Sequence, residues 1–425
     1  MRQPISNLCL ARRSLSIGAV AVAVLVSTAP AFAQQSTVAL EQDTVIERRL
    51  DRSEEHRYSV TLKAGDCAHV RVEQRGIAVV VRVYGGDGHL AAEIQDDIRP
   101  IGVEDAAVIA DAAGSYDIAI KPASGVAAPG AYAIRLAAIE PADAADRALR
   151  DARRLRTRAM RLEEDGLFDA ARTLLEQALA ITESIRGPAD VQTASVLAEL
   201  GGVYQSLPDD PKSEASFQRA VAIMDSSLTP DHPMTAWVRA RLALLYEKMG
   251  QRAKAETLLR PALGALEQSL GTDNQWYVSA LMTQAAIRHD GGEFAAEETI
   301  LRRAMAILEA IGESDSRTYA TLLNNLGEID RQRADFSGAE QWFLRSLDAG
   351  TKAFGRDNYF IGVVLQSLGM VARERKDYAT ADAYYARVLS LRERVVGPNH
   401  PDVAQVLNNM ATVARARGDL ARSLE

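Results

Sequence analysis

Cys67 and His69 are the first residues along this chain that could hold a metal ion together. Two apart on an extended segment, they share one face, and thiolate with imidazole is a zinc donor set. That face also carries Arg71 and Glu73, which marks it as the solvent side. A structural zinc site needs four ligands and no second pair accompanies these two, so they read as surface residues. Asp87, Asp96 and Asp97 offer loop carboxylates of the kind calcium takes, and read as solvated turn acids. His232 in "TPDHP" and His400 in "GPNHP" lie 168 residues apart, four steps of 42, which favours a repeated turn contact over catalysis. Gly-x-Ser-x-Gly, His-Glu-x-x-His and the phosphate-cradling Gly-x-x-x-x-Gly-Lys are missing, so the chain as given reads as no enzyme, with no cofactor and no metal. What remains is recognition chemistry. Arg331, Arg373 and Arg415 recur at steps of 42, and Asn325 and Asn409 at twice that step. Guanidinium groups grip carboxylates in bidentate fashion, and side-chain amides match the donor and acceptor of a peptide bond.

These residues need elements to hold them, and the chain announces two kinds. From about Asp43 to Ile139 the apolar residues alternate: Tyr58, Val60, Leu62; Ala68, Val70, Val72; Val79, Val81, Val83; Tyr116, Ile118, Ile120; Tyr132, Ile134, Leu136. Period two places each set on one face of a strand. Turn signals such as Ala64-Gly65-Asp66 and "YGGDGH" separate them, so two antiparallel sheets packed face to face are expected over residues 34–140.

From about Asp143 the pattern becomes helical and self-similar. Ala159, Gly201, Ala243, Ala285, Gly327, Gly369 and Ala411 are small residues in a 42-residue register. Seven residues on lies a turn position (Gly166, Pro208, Gly250, Gly292, Ala334, Lys376, Gly418), then a second small site (Ala171, Ser213, Ala255, Glu297, Ala339, Ala381, Ser423). Large apolar residues follow at Leu175, Phe217, Leu259, Leu301, Phe343 and Tyr385. Small residues let paired helices approach and large ones fill the space behind, so each unit is a hairpin that buries its face only against neighbours. About seven such hairpins occupy residues 141–425, the last incomplete.

The 42-residue period with "GPNHPDVAQVLNNMATV" resembles the tetratricopeptide repeat of the kinesin-light-chain type, which implies an all-α right-handed solenoid. In that repeat the first helix of each hairpin lines the concave surface. The resemblance thereby points inward the residues two before the small anchor (Glu199, Arg241, Thr283, Asn325, Ser367, Asn409) and four after it (Gln205, Glu247, His289, Arg331, Arg373, Arg415). Asn325 and Asn409 match the Asn of "LNNL" that contacts extended peptide in such repeats. The expectation is a groove near Arg331, Arg373 and Arg415 that binds a protein or an acidic, extended peptide. The spacing of "YSVTLKAGD", "VVVRVYGGDG", "GSYDIAI" and "GAYAIRL" is similar to the pre-peptidase C-terminal domain family, an accessory module rather than a catalyst. In the first helix, Arg147, Arg150, Arg154, Arg158 and Arg161 form a stripe that reads as a solvated cap.

Arg2, Arg12 and Arg13 precede an apolar run from Ile17 to Val26, followed by the Ala31-Phe32-Ala33 cleavage pattern. This reads as a signal peptide cut after Ala33, with export to the periplasm or the cell exterior. The residues around Arg12-Arg13 match a twin-arginine signal poorly. The run is too short for an anchor, and no later stretch approaches the roughly 20 apolar residues of a membrane span. Removing residues 1–33 takes away three arginines and no acid, moving the formal charge from −8 to −11, which disfavours nucleic-acid binding. Cys67 is then the only cysteine, so no internal disulfide forms.

The seventh hairpin lacks its large apolar site, which leaves Leu407 and Met410 without the cover that earlier hairpins supply. Two functions fit. One is an exported, non-catalytic interaction scaffold. The other is the recognition part of a longer protein, since the order of signal, sandwich and repeats resembles bacterial exported proteins that continue into a caspase-like CHAT domain.

Overall fold

The computed structural model describes residues 37–419, apart from 52–53, 95–98, 100, 124–128, 208 and 230. The segment expected to be a signal peptide, Asp96, Asp97, Pro208 and Ser423 lie outside the described residues. The described residues fall within one compact unit. No described helix is long and apolar enough to cross a membrane.

The chain is an all-β sandwich followed by an all-α solenoid. The strands are β1 (Val38–Ala39), β2 (Val45–Leu50), β3 (His56–Leu62), β4 (Asp66–Arg75), β5 (Val79–Tyr84), β6 (Leu90–Ile94), β7 (Ile101–Ile109), β8 (Gly114–Pro122) and β9 (Gly130–Pro141). One sheet runs β1-β3-β8-β5-β6 and the other β2-β9-β4-β7, with β1 parallel to β3 and the other pairings between strands antiparallel. The five alternating sets read from the sequence all turn inward into one core. Between the sheets the Tyr132 and Tyr58 hydroxyls meet at 2.6 Å, and His56 Nδ1 lies 2.8 Å from the Tyr132 hydroxyl. Tyr116 donates to the Ala112 carbonyl at 3.0 Å and pins the corner before β8.

Thirteen helices follow among the described residues: α1 (Ala144–Glu164), α2 (Phe168–Arg186), α3 (Val191–Ser206), α4 (Asp210–Ser227), α5 (Pro233–Lys248), α6 (Arg252–Leu270), α7 (Gln275–Asp290), α8 (Phe294–Ala310), α9 (Arg317–Gln332), α10 (Phe336–Phe354), α11 (Tyr359–Glu374), α12 (Tyr378–Val395) and α13 (Pro401–Arg417). Asp190, His232, Asn274, Ser316, Asn358 and His400 cap the odd-numbered helices from α3 to α13 at the same 42-residue step, each side chain accepting from a backbone N–H of the first turn. His232 and His400 are therefore N-caps, with Nδ1 accepting from Met234 and Asp402 at 3.2 and 3.3 Å. The turn positions at Gly166, Gly250, Gly292 and Gly418 take positive φ, and so do those at Ala334 (60°) and Lys376 (64°).

Within each hairpin the small and large residues are matched in volume. Gly201 faces Phe217, Gly327 faces Phe343 and Gly369 faces Tyr385, and at each of these glycines an added Cβ would come within 3.0 Å of the ring. Where the large residue is leucine (Leu175, Leu259, Leu301), the register residue is alanine (Ala159, Ala243, Ala285), all buried.

Two sequence expectations are corrected where the sandwich meets α1. Cys67 is fully buried, not on a solvent face. It packs with Ile109 of β7 and Ala142, which links β9 to α1, so this end of the β4 face assigned to solvent is covered. Burial, with Asp146 and Asp143 nearby, pushes its thiol up to about 11. The arginine stripe of α1 is in part a docking surface, since Arg150 and Arg154 both donate to Asp111 at the end of β7, at 2.6 and 2.9 Å.

Candidate functional site

Odd-numbered helices pack on one another from hairpin to hairpin, α3 on α5, α5 on α7 and α9 on α11. Even-numbered helices pack in turn on the odd helix that follows, as α4 on α5 and α10 on α11, so the odd helices form one continuous side of the stack. The repeat resemblance makes that side the inner surface of the solenoid.

Its middle is acidic. A cavity of about 220 Å³ is lined by Glu247, Ala285, Ala286, His289, Glu297, Asn325 and Glu328. Glu297 occupies a position that is small in most hairpins and is nevertheless buried. His289 Nδ1 lies 3.0 Å from its carboxylate. Burial raises the pKa of Glu297 and His289 opposes the shift. Glu247 is raised too, first by burial and then by Asp290. Asn325 and Glu247 make no side-chain hydrogen bond among the described residues, so both present free polar groups to this cavity.

Toward the C-terminus, Arg331 and Arg373 lie beside acids. Arg331 forks onto Glu328, Nε to Oε2 at 2.8 Å and Nη2 to Oε1 at 2.5 Å, while its Nη1 reaches Glu374 at 2.5 Å. Burial works to raise Glu328, yet hydrogen bonds from Arg331 and Gln332 hold it below the usual carboxylate range. Arg373 lies 3.8 Å from the same Glu374. Arg415 is exposed and has no partner among the described residues. Asn409, half-buried on α13, likewise leaves its amide unspent. The structure brings Arg331 and Arg373 together around Glu374, which sequence reasoning overlooked although it directly follows Arg373.

At the N-terminal end the inner surface is filled by its own side chains. Arg156 holds Glu199 through two hydrogen bonds, at 2.6 and 3.1 Å. Arg241 lies over the rings of Trp237 and Phe217, 5.1 and 5.5 Å from their centroids, in space that Gly202 leaves open. Burial lowers the pKa of Arg241, with Glu163 and Glu199 opposing. Burial raises that of Glu163, with Arg241 and Arg317 opposing. Side chains from α1, α5 and α9 therefore act on one another across the interior.

No described cluster of His, Cys, Asp or Glu could hold a metal ion. The arrangement offers charge and amide contacts along a curved surface, which is the chemistry of a binding site.

The class of protein follows. Residues 151–226, 192–268 and 360–425 match one family model described as tetratricopeptide repeat, and residues 320–358 match a second with the same description. Together they span just over half of the chain, which belongs to the tetratricopeptide repeat proteins. Among solved structures it is similar to BtubC (BKLC) from P. vanneervenii, at 22% identity over 55% of this chain and 85% of that one, TM-score 0.40. It is also similar to kinesin light chain TPR-like repeats from Podosopora anserina, at 20% identity over 48% and 97%, TM-score 0.37. A third likeness is to a Rap protein complexed with competence and sporulation factor, at 11% identity over 65% and 95%, TM-score 0.42. No curated protein matches the chain.

Proposed function

We propose that this protein is an exported, non-catalytic interaction scaffold that binds an extended, acidic peptide segment along the inner surface of its repeats. The observation that carries the reading is the pair of unspent amides, Asn325 and Asn409, on the same surface as Arg331, Arg373 and Arg415. The amides suit peptide backbone. An incoming carboxylate suits Arg373 and Arg415, and competes with Glu374 for Arg331. The kinesin-light-chain-like period supports the same orientation of the peptide groove, and the sandwich, similar to pre-peptidase C-terminal modules, acts as an accessory that supports or localises the repeats. A peptide-array screen tests the reading. Acidic peptides should bind, and Arg331→Ala/Arg373→Ala/Arg415→Ala should weaken the best of them at least tenfold; unchanged affinity would end it.

The order of sandwich and repeats supports a second reading, in which these residues are the recognition part of a longer caspase-like protein of the CHAT type. The reading frame downstream of Glu425 decides it, since that reading requires a later His and Cys pair.

A further inference from the structure

The solenoid touches itself. Asn358 caps α11 as its counterparts cap the other odd helices, accepting from the Phe360 N–H at 2.9 Å. It also donates from Nδ2 to the Glu164 carbonyl, 2.9 Å away at the end of α1 and 194 residues earlier. That carbonyl is one of the acceptors a helix C-terminus leaves without an intrahelical partner, and Asn358 is buried in reaching it. Beside it the Tyr359 ring closes over the α1–α2 turn. The Phe168 ring meets it edge-on, 5.7 Å between centroids at 78°. Gly166 lies so close that a Cβ there would stand 2.6 Å from the Tyr359 ring. At the same step of 42, the residue after the cap is Val191, Pro233, Gln275, Arg317 or Pro401, so the aromatic at 359 is particular to this corner.

Tyr359 also faces the last hairpin. Its hydroxyl donates to Asp402 on α13 at 2.6 Å, and the buried Arg392 guanidinium stacks on its ring with Cζ 3.4 Å from the centroid. One tyrosine thereby joins the first hairpin to α11, α12 and α13. Among the described residues the seam to the first hairpin shows a hydrogen bond, an aromatic pair and a glycine contact, whereas successive hairpins pack along their helices. A curved stack joined in this way opens at its smallest joint.

We infer that the contact of Asn358 and Tyr359 with Glu164, Gly166 and Phe168 is a clasp that closes the solenoid over its own inner surface, and that its opening governs entry of a partner. This rests on the reading of that surface as the binding groove. It accounts for the charged interior, where Glu163 of α1 lies under the influence of both Arg241 and Arg317. Closing the ring sets α1 against the far wall, and a partner that needs this space displaces the first hairpin.

The test needs no partner. Spin labels at Asp165→Cys and Arg356→Cys, exposed on the two sides of the seam, should give one short distance in the full chain. Phe168→Ala, which leaves α11 and its cap whole, and Asn358→Ala should both lengthen and broaden it. A reporter thiol at Ala286→Cys, in the inner cavity, should then react with a polymer-linked maleimide about tenfold faster, while iodoacetamide reacts at nearly its former rate. Tyr359→Phe keeps the ring on Phe168 and should leave the seam distance unchanged. An unchanged distance in both clasp variants, or equal acceleration of both reagents, overturns the inference. An inert clasp would leave the groove reading standing, and failure of peptide binding would leave the clasp measurable.

Discussion

Gly327 on α9 faces Phe343 on α10 with no room for a methyl group: an added Cβ would lie 2.6 Å from the ring. Gly327→Ala should therefore destabilise the protein by about 1–3 kcal/mol through overpacking. Gly327→Ala/Phe343→Leu recreates the Ala285 and Leu301 pairing of the preceding hairpin and should recover most of that loss. Urea unfolding of the two single variants and the double closes the cycle, and additive costs would refute volume matching.

Ala334 holds φ of 60° at a turn position where most hairpins have glycine. Ala334→Gly should stabilise by about 0.5–1 kcal/mol, because the left-handed conformation crowds a Cβ. A lower thermal midpoint for this variant would contradict the argument.

Glu374 serves Arg331 and Arg373 together. Since the pairs are partly exposed, Glu374→Ala should cost no more than about 1 kcal/mol of stability. It should also raise affinity for acidic peptides on the array, because two cations lose their internal competitor. Weaker binding would place Glu374 in the site in its own right.

Glu163 ionises at higher pH when folded than its ordinary 4.5, burial being the first cause. Between those two values the native state holds more protons than the unfolded chain, so this group's contribution to stability falls as pH rises through that window. Glu163→Gln should gain on the wild type at pH 7.5 and lose that advantage at pH 4. Urea midpoints at the two pH values check the sign.

Cys67 is fully buried, with its thiol pushed up to about 11. In a Cys9→Ser chain, Ellman's reagent at pH 8 should find no fast-reacting thiol until denaturant is added. Rapid labelling of the native protein would mean that α1 lifts from the sandwich.

Much of this architecture was legible in the sequence because it is local. Alternation over two residues set the inward faces of β3, β4, β5, β8 and β9, and the 42-residue register placed anchors, turns and caps. Strands β2, β6 and β7 were harder to read, since Val45, Leu90, Ile101 and Val103 are exposed and blur the alternation. Of the candidate groove, the helices that carry Asn325, Arg331 and Arg373 were readable, but the company of these side chains was not. Glu328 and Glu374 neutralise Arg331 from one turn earlier and from the next odd helix.

By itself the sequence determined which residues share a helix or strand face and the period at which hairpins repeat, because those follow from backbone geometry over a few residues. Only the tertiary structure decided what lies against each face. Cys67 is buried because Ile109 and Ala142 pack there, Leu407 is half exposed at the last described hairpin, and Asn358 meets Glu164 because successive hairpins return the chain to its start. Such contacts depend on small packing angles summed over nearly two hundred residues, and no local pattern encodes that sum.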